Sequence, residues 1–146
     1  MQIQLLDENI EFPSVDKANE IGLLAVGGDL SPARLIAAYE HGVFPGYNPG
    51  EEILWWAPKT RAIIPLENIK IHKSMRNIFN REIYKVTFDT CFDKVVKGCA
   101  TADRGNSNEG TWISSDIHNA YCKLYELGLA HSVEVWDSEK LVGGLY

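Results

Sequence analysis

Two tryptophans stand side by side at Trp55 and Trp56, in ILWWAP, directly after the loop PGYNPGEE. Side chains alternate between faces along a strand, so adjacent indoles point to opposite sides. A chain carrying this pair must cover the strand on both faces or leave one ring facing something other than its own core. Trp55 is read as the core residue. Trp56 is read as its more exposed partner, bordering a groove.

The stretch before the pair, GLLAVGGDLSPARLIAAYEHGVFP, is well punctuated. Gly27, Gly28 and Asp29 mark a turn. Ser31 is a good N-cap and Pro32 suits the first helical position. Leu35, Ile36 and Tyr39 recur at helical spacing, and Gly42 ends the helix as a left-handed C′ residue. Val43 to Glu52 reads as a loop and Ile53 to Trp56 as a strand, with another expected over 62–66. A strand is also expected at Gln2 to Leu6. The GGDLS turn lacks the GxGxxG spacing and puts an acid where a phosphate would sit, so it is read as structural.

Downstream, a short helix is expected over 74–79 and an alternating strand at IYKVTF, 83–88. Thr90 and Asp93 are read as a capping box opening a helix with Phe92, Val95, Val96 and Cys99 on its apolar stripe. The polar stretch 101–108 reads as a loop. A second helix starts near Ser115, carries Ile117, Tyr121, Leu124 and Tyr125 as a packing stripe, and stops at Gly128. HSVEVW (131–136) and LVGGLY (141–146) read as two strands around a DSEK turn. Trp136 and Tyr125 are expected in the core. His131 has two open readings, a pocket hydrogen-bonding group or a satisfied strand histidine. The last strand closes without polar residues or a terminal helix, so the chain is expected to be incomplete at its C-terminus.

The 146 residues fit one domain's worth of chain, and the 45% apolar content supports a packed core. No apolar run approaches the roughly 18 residues of a membrane span. The N-terminus lacks the basic and apolar regions of a signal peptide, which makes a cytoplasmic location the expectation. Cys91, Cys99 and Cys122 form no CxxC pair and are read as buried, reduced thiols; on one helix, Cys91 and Cys99 would lie about 12 Å apart. No metal is expected, because His41, His72, His118 and His131 show no ligand spacing among themselves. The net charge of −6 is unevenly spread: Lys59 to Lys85 holds seven basic and two acidic residues, a net of +5, leaving −11 elsewhere. A basic segment on an acidic body is the footprint of a face that meets phosphates, and also of an ordinary solvated face.

Four stretches together resemble the leucyl/phenylalanyl-tRNA–protein transferases. They are GLLAVGGDLSPARLIAAYEHGVFP, ILWWAP with Arg61 after it, EGTWIS, and YCKLYELGLAHSVEVWDSEKLVGGLY. The resemblance runs from about residue 22 to the last residue. It implies an α+β protein with a small N-terminal α/β domain (1–65) followed by the start of an acetyltransferase-like (GNAT-like) domain (66–146). It implies transfer of Leu or Phe, sometimes Met, from aminoacyl-tRNA to the N-terminal Lys or Arg of acceptor proteins, marking them for degradation by the N-end rule. No cofactor is implied, since the aminoacyl ester is already activated. The family's catalytic Asp and Gln are expected beyond residue 146, so no catalytic residue is assigned and this chain by itself is expected to be inactive.

The same resemblance assigns substrate-binding residues. Trp112 matches a tryptophan associated with the 3′-terminal adenosine, Leu145 an apolar position lining the side-chain pocket, and Tyr39 a tyrosine near the site; Trp56 joins them as a groove wall. Lys73, Arg76, Arg81 and Lys85 fall where the family carries cations facing the tRNA acceptor stem. One departure stands out: Gly46 occupies the place of a family tryptophan that helps hold the adenosine, with Tyr47 or Trp55 as the compensating candidates. Two other functions fit the residues. One is a noncatalytic aminoacyl-tRNA or RNA-binding module. The other is a tRNA-dependent acyltransferase acting on a different peptide acceptor.

Overall fold

The computed structural model describes residues 3–102 and 111–146. It is an α+β structure with two sheets. The first sheet forms from β1 (Gln4–Leu6), β2 (Leu23–Gly27), β3 (Phe44–Pro45) and β4 (Leu54–Trp56), in the order β1-β2-β4-β3. β1 runs parallel to β2, and β4 lies antiparallel to both β2 and β3. β2 was not anticipated as a strand. Leu24 and Ala25 are both buried, so the strand is covered on both faces and shows no alternation to read. β3 lies inside the expected loop. It is two residues long and sits at the sheet edge, where Pro45 leaves no interior ladder hydrogen bond unmade.

Helix α1 (Pro32–Glu40) follows its local signals. Ser31 Oγ accepts from the Arg34 N–H at 3.4 Å, and Gly42 (φ +68°) donates to the Tyr39 carbonyl at 3.0 Å. Its buried stripe is Arg34, Leu35 and Ala38, whereas Tyr39 is half exposed. Arg34 is fully buried and donates to the Asn9 and Asp7 carbonyls at 2.9 and 2.7 Å, besides pairing with Asp29 at 3.4 Å. The guanidinium packs against Gly28, where a Cβ would come within 3.0 Å of it. The glycine turn is therefore a seat for a buried arginine.

Four further elements precede the final hairpin: α2 (Lys73–Asn80), β5 (Lys85–Phe88), α3 (Phe92–Thr101) and α4 (Ser115–Glu126). β6 (Val133–Asp137) and β7 (Lys140–Leu145) pair antiparallel, with β5 on the other side of β6. Residues 62–66 are not a strand. They run irregularly into a single 3-10 turn at Leu66–Asn68, and Ile63 and Ile64 are exposed. The polar loop expected over 101–108 lies mostly outside the described residues.

The capping box at Thr90 and Asp93 does not form. The N-cap of α3 is Cys91, without a side-chain cap hydrogen bond. Thr90 Oγ1 instead donates to Glu134 at 2.9 Å, and Asp93 pairs with Lys97 and His118. Glu134, fully buried on β6, also accepts from Thr87 Oγ1 (2.6 Å) and Ser132 Oγ (2.5 Å). Burial alone would raise its pKa. The hydroxyls of Ser132, Thr87 and Thr90 outweigh that and hold it down to about 2. Trp136 is half-buried rather than core, its ring N–H donating to Thr87 Oγ1 at 2.8 Å. Tyr125 packs at the edge of the core, stacked on Phe92 with centroids 4.6 Å apart. No disulfide joins the cysteines, which are half-buried.

One apolar cluster joins the first sheet and α1 to the helices α3 and α4, with Leu24, Leu35, Val43 and Trp55 packed with Phe92, Val96, Ile117 and Leu124. Among the described residues, no helix is long and apolar enough to cross a membrane.

Candidate functional site

A groove of about 530 Å³ opens where α1, α4 and the end of β7 meet. Tyr39 reaches it from the last turn of α1, Tyr121 and Leu124 from the buried face of α4, and Leu145 from the end of β7. Trp112 and Ile113, just before α4, supply another wall. Three of the four residues expected to bind substrate thus share one mainly apolar cavity. Tyr39 (51% exposed), Trp112 (40%) and Leu145 (67%) all retain surface open to a ligand.

The tyrosines fix the groove's floor. Tyr39 and Tyr121 share a hydrogen bond of 2.5 Å between their hydroxyls, with ring planes nearly perpendicular. Burial of Tyr121, reinforced by Tyr39, pushes its phenol well above the usual range, so Tyr121 stays neutral across physiological pH. Tyr121 continues edge-on to Tyr146 at 5.6 Å, and Tyr146 to Phe92 at 5.9 Å. Tyr121, Leu124 and Tyr146 were not foreseen as groove residues. Helical periodicity marks Tyr121 and Leu124 only as inward-facing, and an inward face lines the core and the groove floor alike.

His131 lies at the rim, before β6, with Nδ1 2.8 Å from Asp89 Oδ2. Asp89 also accepts from the Ser132 N–H at 2.7 Å. The His131 contact first, and then that N–H, hold the Asp89 carboxyl below its ordinary range. His131 is therefore both a groove-lining residue and a satisfied one.

Trp56 lies in a neighbouring groove of about 460 Å³, with Phe44, Gly46 and Tyr47. Trp112 lines both cavities and so stands between them. The Trp56 indole N–H donates to the Gly46 carbonyl at 2.6 Å, and its ring edge occupies the space beside Gly46. The tryptophan pair divides as expected: Trp55 is fully buried, donates to the Gly27 carbonyl at 2.9 Å and packs edge-on against Phe12, while Trp56 is half-buried. Trp55 is fully buried and cannot supply a ring at Gly46, whereas Tyr47, though largely buried, lines the same groove. Trp56 is the ring beside that position.

Lys73 and Arg76 lie one helical turn apart on α2, Arg81 caps its C-terminus, and Lys85 opens β5. All four are exposed, and among the described residues none forms a salt bridge. They lie outside the groove lined by Tyr39, Trp112 and Leu145.

Comparison with known proteins bears on this arrangement. The model of the leucyl/phenylalanyl-tRNA protein transferase family matches residues 63–146, and the model of that family's N-terminal domain matches residues 28–59. The chain belongs to this family. Relatives named leucyl/phenylalanyl-tRNA–protein transferase include one from Enterobacter sp. (strain 638), 51% identical over 99% of this chain, and one from Syntrophus aciditrophicus (strain SB), 52% identical over all of it. Another, from Flavobacterium johnsoniae, is 50% identical over 97% of the chain. The chain spans 61% of the length of the first two relatives and 66% of the third.

The groove draws on both matched regions. Tyr39 falls in the stretch matched as N-terminal domain, Trp112 and Leu145 in the other.

Proposed function

We propose that this chain holds the aminoacylated 3′ end of a tRNA for an aminoacyl transfer. The donor is Leu-, Phe- or Met-tRNA, and the acceptor is the α-amino group of a protein beginning with Lys or Arg. The observation that carries this reading is the convergence of Tyr39, Trp112 and Leu145 on one apolar cavity of about 530 Å³. That volume lies within the roughly 300–1,000 Å³ typical of small-ligand sites.

Each wall has a task in this reading. An unpaired adenine stacks on the exposed indole of Trp112, a contact worth about 1–3 kcal/mol. Leu145 and Leu124 receive the aminoacyl side chain. A polar side chain would lose its water there without gaining partners, so Leu and Phe are preferred. Trp56, across Trp112, offers a second ring where Gly46 supplies none. Lys73, Arg76, Arg81 and Lys85 bind acceptor-stem phosphates, contacts that hold the stem without reading sequence. The acidic surplus outside the basic segment attracts a cationic acceptor terminus.

The chain supplies binding surface and none of the reacting groups in this reading. The acetyltransferase-like character of residues 66–146, their division from residues 1–65, and a cytoplasmic location belong to the same proposal.

The experiment is equilibrium binding of Leu-tRNA and uncharged tRNA, with Trp112→Ala and Lys73→Ala/Arg76→Ala variants, from 50 to 200 mM salt. Charged tRNA should bind more tightly. Trp112→Ala should cost about 1–3 kcal/mol of affinity. Removing two phosphate contacts should lower the logarithmic salt slope by about 2. Equal binding of charged and uncharged tRNA, with no loss in Trp112→Ala, would defeat the assignment and leave a general RNA-binding module.

A further inference from the structure

A second constellation lies away from the groove. Asp93 sits in the first turn of α3, and His118 and Cys122 stand one turn apart on α4. Where the two helices pack, one donor atom from each residue comes within 4.8 Å of the other two. His118 Nε2 is 2.9 Å from Asp93 Oδ1 and 3.7 Å from Cys122 Sγ. None of the three lines the groove. Scanning the histidines against one another misses this group, because the spacing that matters is His-x3-Cys on one helix face, completed by an acid 25 residues upstream.

We infer that Asp93, His118 and Cys122 form a binding site for a single zinc-class divalent cation clamping α3 to α4. The donor set is one carboxylate oxygen, one imidazole nitrogen and one thiolate sulfur, the N/S/O combination that zinc and cobalt favour. The spacing fits as well. With Zn–N about 2.0–2.1 Å and Zn–S about 2.3 Å, tetrahedral ligands stand about 3.3 Å (N to O) and 3.6 Å (N to S) apart. The 2.9 and 3.7 Å separations therefore need adjustments of only tenths of an ångström, and the Asp93-to-Cys122 separation, within 4.8 Å, has at most about 1.2 Å to close, a shift the exposed Asp93 side chain can make. Three protein ligands leave a fourth position for water.

The protons balance. In the metal-free arrangement the His118 ring proton bridges Nε2 to Asp93 Oδ1. On binding, the cation takes that place. The ring proton moves to Nδ1, where Asn119 Oδ1 lies 3.3 Å away and can accept it. The Cys122 thiol releases its proton to solvent and becomes the thiolate ligand. Two negative ligands then neutralise the dication. Lys97, 2.8 Å from Asp93 Oδ2, can keep that oxygen while Oδ1 turns to the metal. Asp93 is exposed and gives the cation its entry.

This site stands independently of the proposed function, and its test uses the metal alone. The protein is titrated with Co²⁺ and then with competing Zn²⁺, reading the thiolate-to-cobalt charge-transfer band, the bound stoichiometry and the melting temperature. One Co²⁺ per chain, with a thiolate band that Zn²⁺ abolishes, is the expected result. Cys122→Ser should remove the band, and Asp93→Asn and His118→Gln should each weaken binding by about tenfold or more. Cys91→Ser should leave the cobalt stoichiometry and the thiolate band unchanged. Asp93 is at the surface, so Asp93→Asn keeps the test readable if a change at Cys122 disturbs packing. No uptake of Co²⁺, uptake without a thiolate band, or a band that survives Cys122→Ser would overturn the inference.

Discussion

At the scale of single residues, the adjacent tryptophans separate stability from binding. Trp55 is fully buried, hydrogen-bonded to the Gly27 carbonyl and wedged against Phe12. Truncating it leaves a cavity and an unmatched carbonyl, so Trp55→Ala should cost about 3–5 kcal/mol of folding stability. Trp56 is half-buried, and its ring faces the groove beside Gly46. Trp56→Ala should lower the melting temperature less than Trp55→Ala while weakening aminoacyl-tRNA binding more. Thermal melts and binding isotherms on the two variants check this, and the opposite ranking would return Trp56 to the core. The division between the two rings was legible from strand alternation alone. The convergence of Tyr39, Trp112 and Leu145 was not. Those residues are 73 and 33 positions apart, and no periodicity relates them; only a resemblance to other chains singled them out.

At the scale of elements, the helices and five of the seven described strands announced themselves, while β2 and β3 did not. Ser31, Pro32 and Gly42 bound α1 with local chemistry that needs no tertiary partner. α4 has the same character, its Ser114 hydroxyl accepting from the Ile117 N–H at 3.2 Å. β2 escaped notice because both its faces are covered, and residues 62–66 mimicked a strand with an apolar run that the fold leaves exposed. Thr90 resembled a cap, yet its hydroxyl went to the buried Glu134. That carboxylate ties β6 to β5 and to the start of α3, and it carries a pH signature. Its pKa is held at about 2 against an ordinary value of 4.5. A group depressed in the fold contributes stability that is fully present above its unfolded pKa and is lost as pH falls through the folded one. The melting temperature should therefore drop between about pH 4.5 and pH 2. Glu134→Gln turns an amide N–H₂ toward hydroxyls that need an acceptor, so it should cost about 1–3 kcal/mol at neutral pH. Its melting temperature should then fall less steeply than the wild type's over that acid window. Parallel slopes for the two proteins would mean that another carboxylate governs the acid transition.

At the scale of the molecule, one apolar core joins the first sheet and α1 to α3 and α4, and the groove opens over it where α1 meets α4. The two sheets are built from stretches that lie before and after residue 60, so a polar contact between them is a direct measure of their coupling. The Tyr39–Tyr121 hydrogen bond is such a contact, linking residues 82 positions apart across the groove floor. Its two ends are not equivalent. Tyr121 is only 7% exposed, whereas Tyr39 is 51% exposed. Removing the Tyr39 hydroxyl strands a buried phenol, and Tyr39→Phe should cost about 1–3 kcal/mol. Removing the Tyr121 hydroxyl leaves Tyr39 with water as a partner, so Tyr121→Phe should cost only about 0.5–1.5 kcal/mol. With both changed, no buried donor is left unsatisfied, and the double variant should be more stable than the sum of the single losses predicts. Urea unfolding of the four proteins closes the cycle. Strictly additive losses would mean that the two hydroxyls act separately and that the groove floor is held by ring packing alone, while a coupling of at least about 0.5 kcal/mol would make this bond a measured link between the halves that form the site.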